Sequence, residues 1–219
     1  MHIPDYMIGS GFHGHPGDGR AEFFPLWLSN TKRYASPVKI LVLSDSDSNL
    51  PPDNGFESVR MQGDLGFCGS LLSGEKDHQF AGGPAVLMAL AALAYVNETD
   101  LIYKEQDCLW VGDVVGRMYR EIGNGGIIFG AQKGMPCENC LFLMRHWFIP
   151  EFLTTYASSA RETRPENICE AKFAGWAKTK TAWRYHSIPG GRDRPLPDTA
   201  EWYAQKFTAE ELARHRDKF

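Results

Sequence analysis

The sequence predicts a single α/β domain in which a mostly parallel central sheet is flanked by helices. Three observations lead to this prediction. Segments of strand character alternate with segments of helical character, several strands end in polar residues, and 219 residues suit one core of ordinary size. Hydrophobic residues make up 43% of the chain and charged residues 23%, which favours a folded globular protein over a disordered one.

The amino-terminal half predicts four strands and two helices. The β-branched run Val38–Leu43 has the length and composition of a buried strand, whereas the Ala- and Leu-rich run that Pro84 opens is helical. Gly9, Ser10 and Gly11 are expected to end the first strand. The strands are predicted at Tyr6–Ile8, Val38–Leu43, Phe56–Met61 and Leu101–Tyr103, and the helices at Phe23–Tyr34 and Pro84–Val96.

The carboxyl-terminal half predicts one more buried strand and several helices. The strand is expected at Gly126–Ala131, and Thr208 with Glu211 forms the capping box of a last helix. Residues 1–189 are predicted to form the main body of the domain, with the basic loop and helix of residues 190–219 packing on the same domain. The helices are predicted at Asp113–Ile122, at Asn139–Thr155 in part with Pro150 as an interruption, and at Ala209–Lys218.

Charge and composition exclude several classes of protein. The net charge of −4 disfavours a protein that depends on neutralising nucleic-acid phosphates, although residues 161–219 carry an excess of positive charge that indicates contact with an anion. No apolar run is long enough to span a bilayer, and the amino terminus lacks the features of a secretion signal. Five cysteines do not suggest a disulfide framework. We therefore expect a soluble cytoplasmic protein with reduced thiols.

The segment Glu105-Gln106-Asp107 is the most informative motif. Two carboxylates at positions i and i+2 after the end of a strand can face the same crevice. Hard oxygen ligands at this spacing suit Mg²⁺ or Mn²⁺ bound together with a diphosphate. The alternative interpretation is a solvated acidic turn without a ligand.

The order of these elements resembles the nucleotide-sugar domain of GT-A glycosyltransferases. A strand ends in a Gly-rich turn, a second strand ends in Asp45, and a helix that begins near Gly83 precedes the Glu105/Asp107 pair. The family's acidic motif usually reads D-x-D, so Glu105 departs from it. The family's polar positions on the preceding helix are also apolar here. These departures affect the expected diphosphate contacts more than the expected fold.

The resemblance implies a donor site and a metal site. Asp45 would read the nucleobase, Ser10 and Gly11 would lie beside the ribose, and Gly83 would lie near the donor. Asp107 would bind Mn²⁺ or Mg²⁺ directly, and Glu105 would contact the ribose or a metal-bound water. The metal would neutralise the departing nucleoside diphosphate. A turn or cap after the second strand is the alternative for Asp45.

The resemblance also implies residues on the carboxyl-terminal side of the site. Glu170, with Glu166 as the second choice, would be the general base that takes the acceptor's proton. His186 would be a third metal ligand, and Arg192 and Arg194 would hold the diphosphate. A surface helix with solvated carboxylates and a solvated basic loop are the alternatives for these two segments.

We therefore expect a metal-dependent glycosyltransferase, a hexosyl- or pentosyltransferase, that uses a nucleotide sugar, with a UDP-sugar as the favoured donor. Its acceptor would be a glycan, a small molecule or a modified nucleic-acid base. A nucleotidyltransferase of the same sheet type is one alternative, although Gly17-Asp18-Gly19-Arg20 matches its Gly-rich basic loop poorly. A noncatalytic protein that binds sugar nucleotides is the other.

Overall fold

A computed structural model describes residues 3–14, 17, 19–44, 49–52, 55–61, 82–132, 135–160, 175–185 and 188–219. Two sheets occupy this part of the chain, a large one and a two-stranded one. Their strands are β1 (Tyr6–Phe12), β2 (Lys39–Ser44), β3 (Glu57–Arg60), β4 (Asp100–Lys104), β5 (Leu109–Val111), β6 (Ile127–Gln132), β7 (Met135–Met144), β8 (Trp183–Tyr185) and β9 (Trp202–Ala204).

The large sheet has seven strands in the order β3-β2-β1-β4-β7-β6-β8, and β5 pairs with β9 in the small sheet. The neighbours β3, β2, β1 and β4 are all parallel, whereas β7 runs antiparallel to both β4 and β6. The prediction of a mostly parallel central sheet is therefore confirmed. Since parallel strands end together, β1, β2, β3 and β4 share one edge, which we call the carboxyl edge.

Helices cover both faces of the large sheet and create two hydrophobic layers. Tyr6 and Ile8 of β1 face the layer that includes α1, α3 and the small sheet, and Met7 faces the layer that includes α2 and α4. No helix in the described ranges is both long and apolar enough to cross a membrane. The helices are α1 (Arg20–Tyr34), α2 (Gly82–Val96), α3 (Val114–Ile122), α4 (Ile149–Ala160) and α5 (Ala209–Arg214), with a 3₁₀ turn at His146–Phe148.

The structure differs most from the predicted boundaries at three elements. Residues 139–144 belong to β7 and not to a helix, and α4 begins only at Ile149. The short apolar run at Cys140–Met144 is compatible with either structure, and its pairing between β4 and β6 decides for the strand. The first strand continues through Gly9, Ser10 and Gly11 to Phe12. The last helix ends at Arg214, four residues before the predicted end.

The first residue of β4, Asp100, is a buried carboxylate with three donors around it. Its Oδ2 accepts from Tyr119 Oη over 2.9 Å and from Arg145 Nη1 over 3.1 Å, and its Oδ1 accepts from the His146 backbone N–H over 2.7 Å. Desolvation, followed by the nearby Asp100 charge, raises the pKa of Tyr119 well above its usual range. Asp100 therefore ties β4 to α3 and to the 3₁₀ turn, at the edge opposite the carboxyl edge.

Candidate functional site

The acidic turn 105–107 follows β4 directly at the carboxyl edge, and its backbone is fixed by three hydrogen bonds. The Glu105 N–H donates to the Cys140 carbonyl over 2.9 Å, and the Glu105 carbonyl accepts from the Cys108 N–H over 2.9 Å. The same carbonyl accepts from Trp27 Nε1 over 2.9 Å. Neighbouring β7 and helix α1 thus hold the turn in place from two sides.

A buried lysine, Lys104, directly precedes this turn. Lys104, which is fully buried, donates from Nζ to Asn30 Oδ1 over 2.9 Å and to Thr31 Oγ1 over 2.7 Å. Its ammonium group lies 5.1 Å from the ring centroid of Trp27 and 4.5 Å from that of Trp110. Burial lowers the pKa of Lys104 from 10.5 to about 7, against a smaller opposing effect of Cys108. The charge of Lys104 therefore changes near neutral pH.

Both acids of the turn line one cavity of about 280 Å³. Lys206 also lines it and places Nζ 3.1 Å from Asp107 Oδ2. The Asp107 side chain is 25% exposed and that of Lys206 is 59% exposed, so this ion pair lies in contact with solvent. The other lining residues are Gly19, Arg20, Phe23, Gln106, Phe207 and Leu212.

Gln205 connects Glu105 to Arg192. With the amide oriented so that its nitrogen faces the carboxylate, the Gln205 nitrogen donates to Glu105 Oε2 over 2.7 Å. Its oxygen then accepts from Arg192 Nε over 2.8 Å. Gln205 is fully buried, and its backbone N–H donates to the Gly191 carbonyl over 3.0 Å. The acidic turn and the loop that carries Arg192 are therefore linked through one amide.

Arg194 packs against the carboxyl-terminal chain. It forms an ion pair with Glu211, and its Nη2 donates to the Gln205 carbonyl over 2.9 Å and to the Lys206 carbonyl over 3.1 Å. Its guanidinium carbon lies 5.8 Å from the ring centroid of Phe207. In this arrangement Arg194 positions the segment that meets the acids, and contact with a diphosphate stays a prediction.

Ser10 and Gly11 lie inside β1 and not in a loop. Ser10 is buried, and its hydroxyl donates to the Gly11 carbonyl over 3.3 Å. His13, which follows β1, donates from its backbone N–H to Gln106 Oε1 over 3.0 Å. This hydrogen bond connects the end of β1 to the acidic turn, as expected for neighbouring parallel strands.

Four of the predicted site residues lie outside the described residues. They are Asp45, Glu166, Glu170 and His186. Gly83 lies in the first turn of α2. The predicted base, the third metal ligand and the nucleobase contact therefore stay predictions.

The donor set at the turn fits a hard divalent cation. Glu105 and Asp107 offer carboxylate oxygens in one cavity, and Mg²⁺ is commonly held by one or two carboxylates together with substrate phosphates. The described ranges contain no group of three or more His, Cys, Asp or Glu side chains that could hold a metal. Within these ranges, the protein would contribute two ligands and leave the remaining positions to the substrate and to water.

Sequence reasoning missed Gln205 and Lys206. Both follow β9, which reaches the site by pairing antiparallel with β5, with Trp110 opposite Tyr203. About 100 residues separate them from the acids they contact. The excess of positive charge after residue 160 was the available signal, and it indicated an anion without indicating which anion.

Solved structures similar to this chain include GT-A-type glycosyltransferases and a nucleotidyltransferase. The galactosyltransferase LgtC, in complex with donor and acceptor sugar analogues, is 11% identical with a TM-score of 0.53, and the match covers 98% of this chain and 90% of LgtC. A Bacillus anthracis protein described as a glucose-1-phosphate thymidylyltransferase is 10% identical to this chain, with a TM-score of 0.54. The match covers 97% of this chain and 94% of the Bacillus anthracis protein.

The glycosyltransferase GlyE of Streptococcus pneumoniae TIGR4 is 12% identical with a TM-score of 0.51, and the match covers 83% of this chain. The chain spans 45% of the length of GlyE. No protein-family model and no curated protein matches the sequence. The chain therefore has the α/β fold of GT-A glycosyltransferases, as the sequence resemblance predicts.

Proposed function

We propose that this protein is a glycosyltransferase that moves a hexosyl or pentosyl group from a nucleotide sugar to an acceptor. The observation that supports it is the acid pair Glu105/Asp107, which lies at the carboxyl edge of a GT-A fold and lines one cavity. In open α/β sheets, ligands bind at this edge. The favoured donor is a UDP-sugar.

Each proposed residue has a defined part in the transfer. Glu105 and Asp107 hold Mn²⁺ or Mg²⁺, and Arg192 binds the diphosphate. A cation held by these two carboxylates would neutralise the charge that develops on the departing nucleoside diphosphate. Glu170, or Glu166 in its place, accepts the proton of the attacking acceptor hydroxyl.

The proposed acceptor is a hydroxyl-bearing glycan or small molecule. The excess of positive charge in residues 161–219 supports a modified nucleic-acid base as a further candidate. Incubation with UDP-glucose, UDP-galactose and UDP-xylose, each with these three classes of acceptor, tests the acceptor by mass spectrometry of the products.

A thermal-shift panel of nucleoside diphosphates and sugar nucleotides, with and without Mn²⁺, tests the donor class. We expect one donor to raise the melting temperature only when Mn²⁺ is present. Asp107→Asn should abolish this shift. Glu57→Gln is the matched control, since Glu57 is an exposed carboxylate on β3 that pairs with Lys39 over 3.2 Å. If no nucleotide stabilises the wild-type protein under any condition, the proposal is wrong.

A nucleotidyltransferase is the second candidate, which the similarity to the thymidylyltransferase fold supports. Such an enzyme joins a nucleoside triphosphate to a sugar phosphate and releases pyrophosphate, whereas a glycosyltransferase releases a nucleoside diphosphate. Measuring whether pyrophosphate or a nucleoside diphosphate is released distinguishes the two kinds of enzyme. Stabilisation by a nucleotide with neither product would identify a noncatalytic binding protein.

A further inference from the structure

Two consecutive residues of the carboxyl-terminal chain contact the two acids of the turn. Gln205 donates to Glu105 over 2.7 Å, and Lys206 pairs with Asp107 over 3.1 Å. We call Gln205 and Lys206 the carboxyl-terminal clamp. The predicted metal ligands are thus already engaged by side chains of the protein itself.

The backbone of the clamp is held at several points. β9 pairs with β5, and Arg194 donates to the carbonyls of both clamp residues. Gly190 packs so closely on β9 that a side chain there would collide with the Tyr203 carbonyl oxygen. Lys206 itself adopts a φ of 58°, in the left-handed region that residues with a Cβ rarely occupy. This conformation is sustained by the surrounding contacts.

The two halves of the clamp differ in how readily they release their acid. Gln205 is fully buried, and its amide is engaged on both sides. The Lys206 side chain is 59% exposed, and exposed ion pairs contribute little because water and salt screen them. Lys206 is therefore the part of the clamp that a stronger cation displaces at small cost.

A divalent cation and the Lys206 ammonium group compete for the same carboxylate. Two positive charges beside one carboxylate oxygen repel each other at contact distance, although water weakens this repulsion at an exposed site as it weakens the ion pair itself. A divalent metal carries twice the charge of the ammonium group and would take further oxygen ligands from a diphosphate. Lys206 Nζ, at 3.1 Å from Asp107 Oδ2, therefore opposes metal binding at that oxygen.

We propose that Lys206 is a built-in competitor of the divalent cation at Asp107. In the metal-free protein its ammonium group neutralises Asp107, and it leaves when the cation and the donor diphosphate bind. Gln205 keeps Glu105 oriented throughout. This inference rests on the proposed function for the identity of the site, and it goes further by assigning Lys206 the control of metal affinity.

Direct Mn²⁺ binding tests this inference without any need for activity. Electron paramagnetic resonance of free Mn²⁺ gives the dissociation constant for the wild-type protein and for Lys206→Met in the absence of nucleotide. We expect Lys206→Met to bind Mn²⁺ about five-fold more tightly, which corresponds to the upper range for an exposed ion pair. Lys206→Arg keeps the positive charge and should bind like the wild type.

Two controls confine the effect to Asp107. Lys39→Met removes another lysine that pairs with a carboxylate, Glu57 on the edge strand β3, and should leave Mn²⁺ affinity unchanged. In an Asp107→Asn background, Lys206→Met should have no effect on Mn²⁺ affinity, since the shared carboxylate charge is gone. Circular dichroism of each variant verifies the fold.

The outcomes separate this inference from the proposed function. Equal or weaker Mn²⁺ binding by Lys206→Met overturns the competition, even if a sugar nucleotide binds. Tighter binding by Lys206→Met, with no sugar nucleotide bound by any variant, supports the competition and overturns the proposed function. Absence of Mn²⁺ binding in every variant overturns the competition. The proposed function is then tested by the thermal-shift panel of nucleotides measured without Mn²⁺.

Discussion

Asp100 is the first residue of β4 and Asp107 lies three residues beyond its last, and the surroundings of these two carboxylates differ. Asp100 begins the strand with its side chain 7% exposed, and Tyr119, Arg145 and the His146 backbone all donate to it. Asp107 follows the strand at 25% exposure and pairs with the exposed Lys206. The comparison shows how one strand can carry a carboxylate that stabilises the fold and another that remains available to a ligand.

The largest expected change in stability comes from replacing Asp100, the buried acid at the start of β4. Asp100→Ala leaves the Arg145 guanidinium and the Tyr119 hydroxyl without their shared acceptor, so we expect a loss of about 3 kcal/mol in the free energy of unfolding. Urea denaturation measures it. A loss below about 1 kcal/mol would show that Asp100 contributes no more than a surface ion pair.

The next largest change in stability concerns Lys104, the buried last residue of β4, which lies between Asp100 and Asp107 in the chain. Its pKa is about 7 in the folded protein and 10.5 when unfolded, so the unfolded state binds more protons between these values. Stability should therefore rise with pH above 7, by up to ~1.4 kcal/mol per pH unit. Urea denaturation between pH 7 and pH 9 measures the slope.

Lys104→Met should remove most of this slope, because methionine carries no titratable group. Lys39→Met changes a lysine on the surface and should retain it. A wild-type protein whose stability does not change over this range would contradict the depressed pKa of Lys104.

A smaller effect is expected at the helix behind the clamp. Thr208 Oγ1 accepts from the Glu211 N–H over 3.1 Å, and Glu211 Oε2 accepts from the Thr208 N–H over 3.0 Å. Thr208→Ala should cost about 1 kcal/mol of stability, since it removes one half of this capping box. Thermal unfolding measures it, with Thr154→Ala in the exposed part of α4 as the control. Equal losses in both variants would exclude a capping effect.

The smallest stability change is expected at the exposed end. Asp107→Asn removes a solvent-exposed ion pair and should alter the free energy of unfolding by less than about 1 kcal/mol. The same variant should lose Mn²⁺-dependent nucleotide binding. Calorimetric titration with UDP and Mn²⁺ measures binding beside the unfolding experiment. If Asp107→Asn retained Mn²⁺-dependent nucleotide binding and lost much stability, Asp107 would be a structural carboxylate like Asp100 and not a ligand-binding one.

Local patterns in the sequence predict much of the fold. The run Val38–Leu43 and the Ala-rich helix before the acidic turn are found where periodicity and composition place them. β7 was wrongly assigned because a five-residue apolar run fits a buried strand and a buried helix equally well. Its pairing partners, β4 and β6, decide between the two, and pairing between distant segments is absent from local patterns.

The candidate site shows the same division between local and distant information. Glu105 and Asp107 could be found because their spacing and their position after β4 are local features. The contact of Gln205 with Glu105 depends on β9 pairing with β5, which is separated from it by about 90 residues. Arg194 belongs to the predicted basic loop, yet its pairing with Glu211 emerges only in the folded chain.

The distance along the chain between the acids and the clamp also has a consequence for the time at which the site is assembled. Chains are synthesised from the amino terminus at roughly 5–20 residues per second, so Gln205 and Lys206 follow Asp107 by roughly 5 to 20 s. Long-range pairing such as that of β9 with β5 is, in addition, intrinsically slow. During synthesis the acidic turn therefore emerges before its counter-charge, and the contacts of Gln205 and Lys206 can form only after β9 has been made.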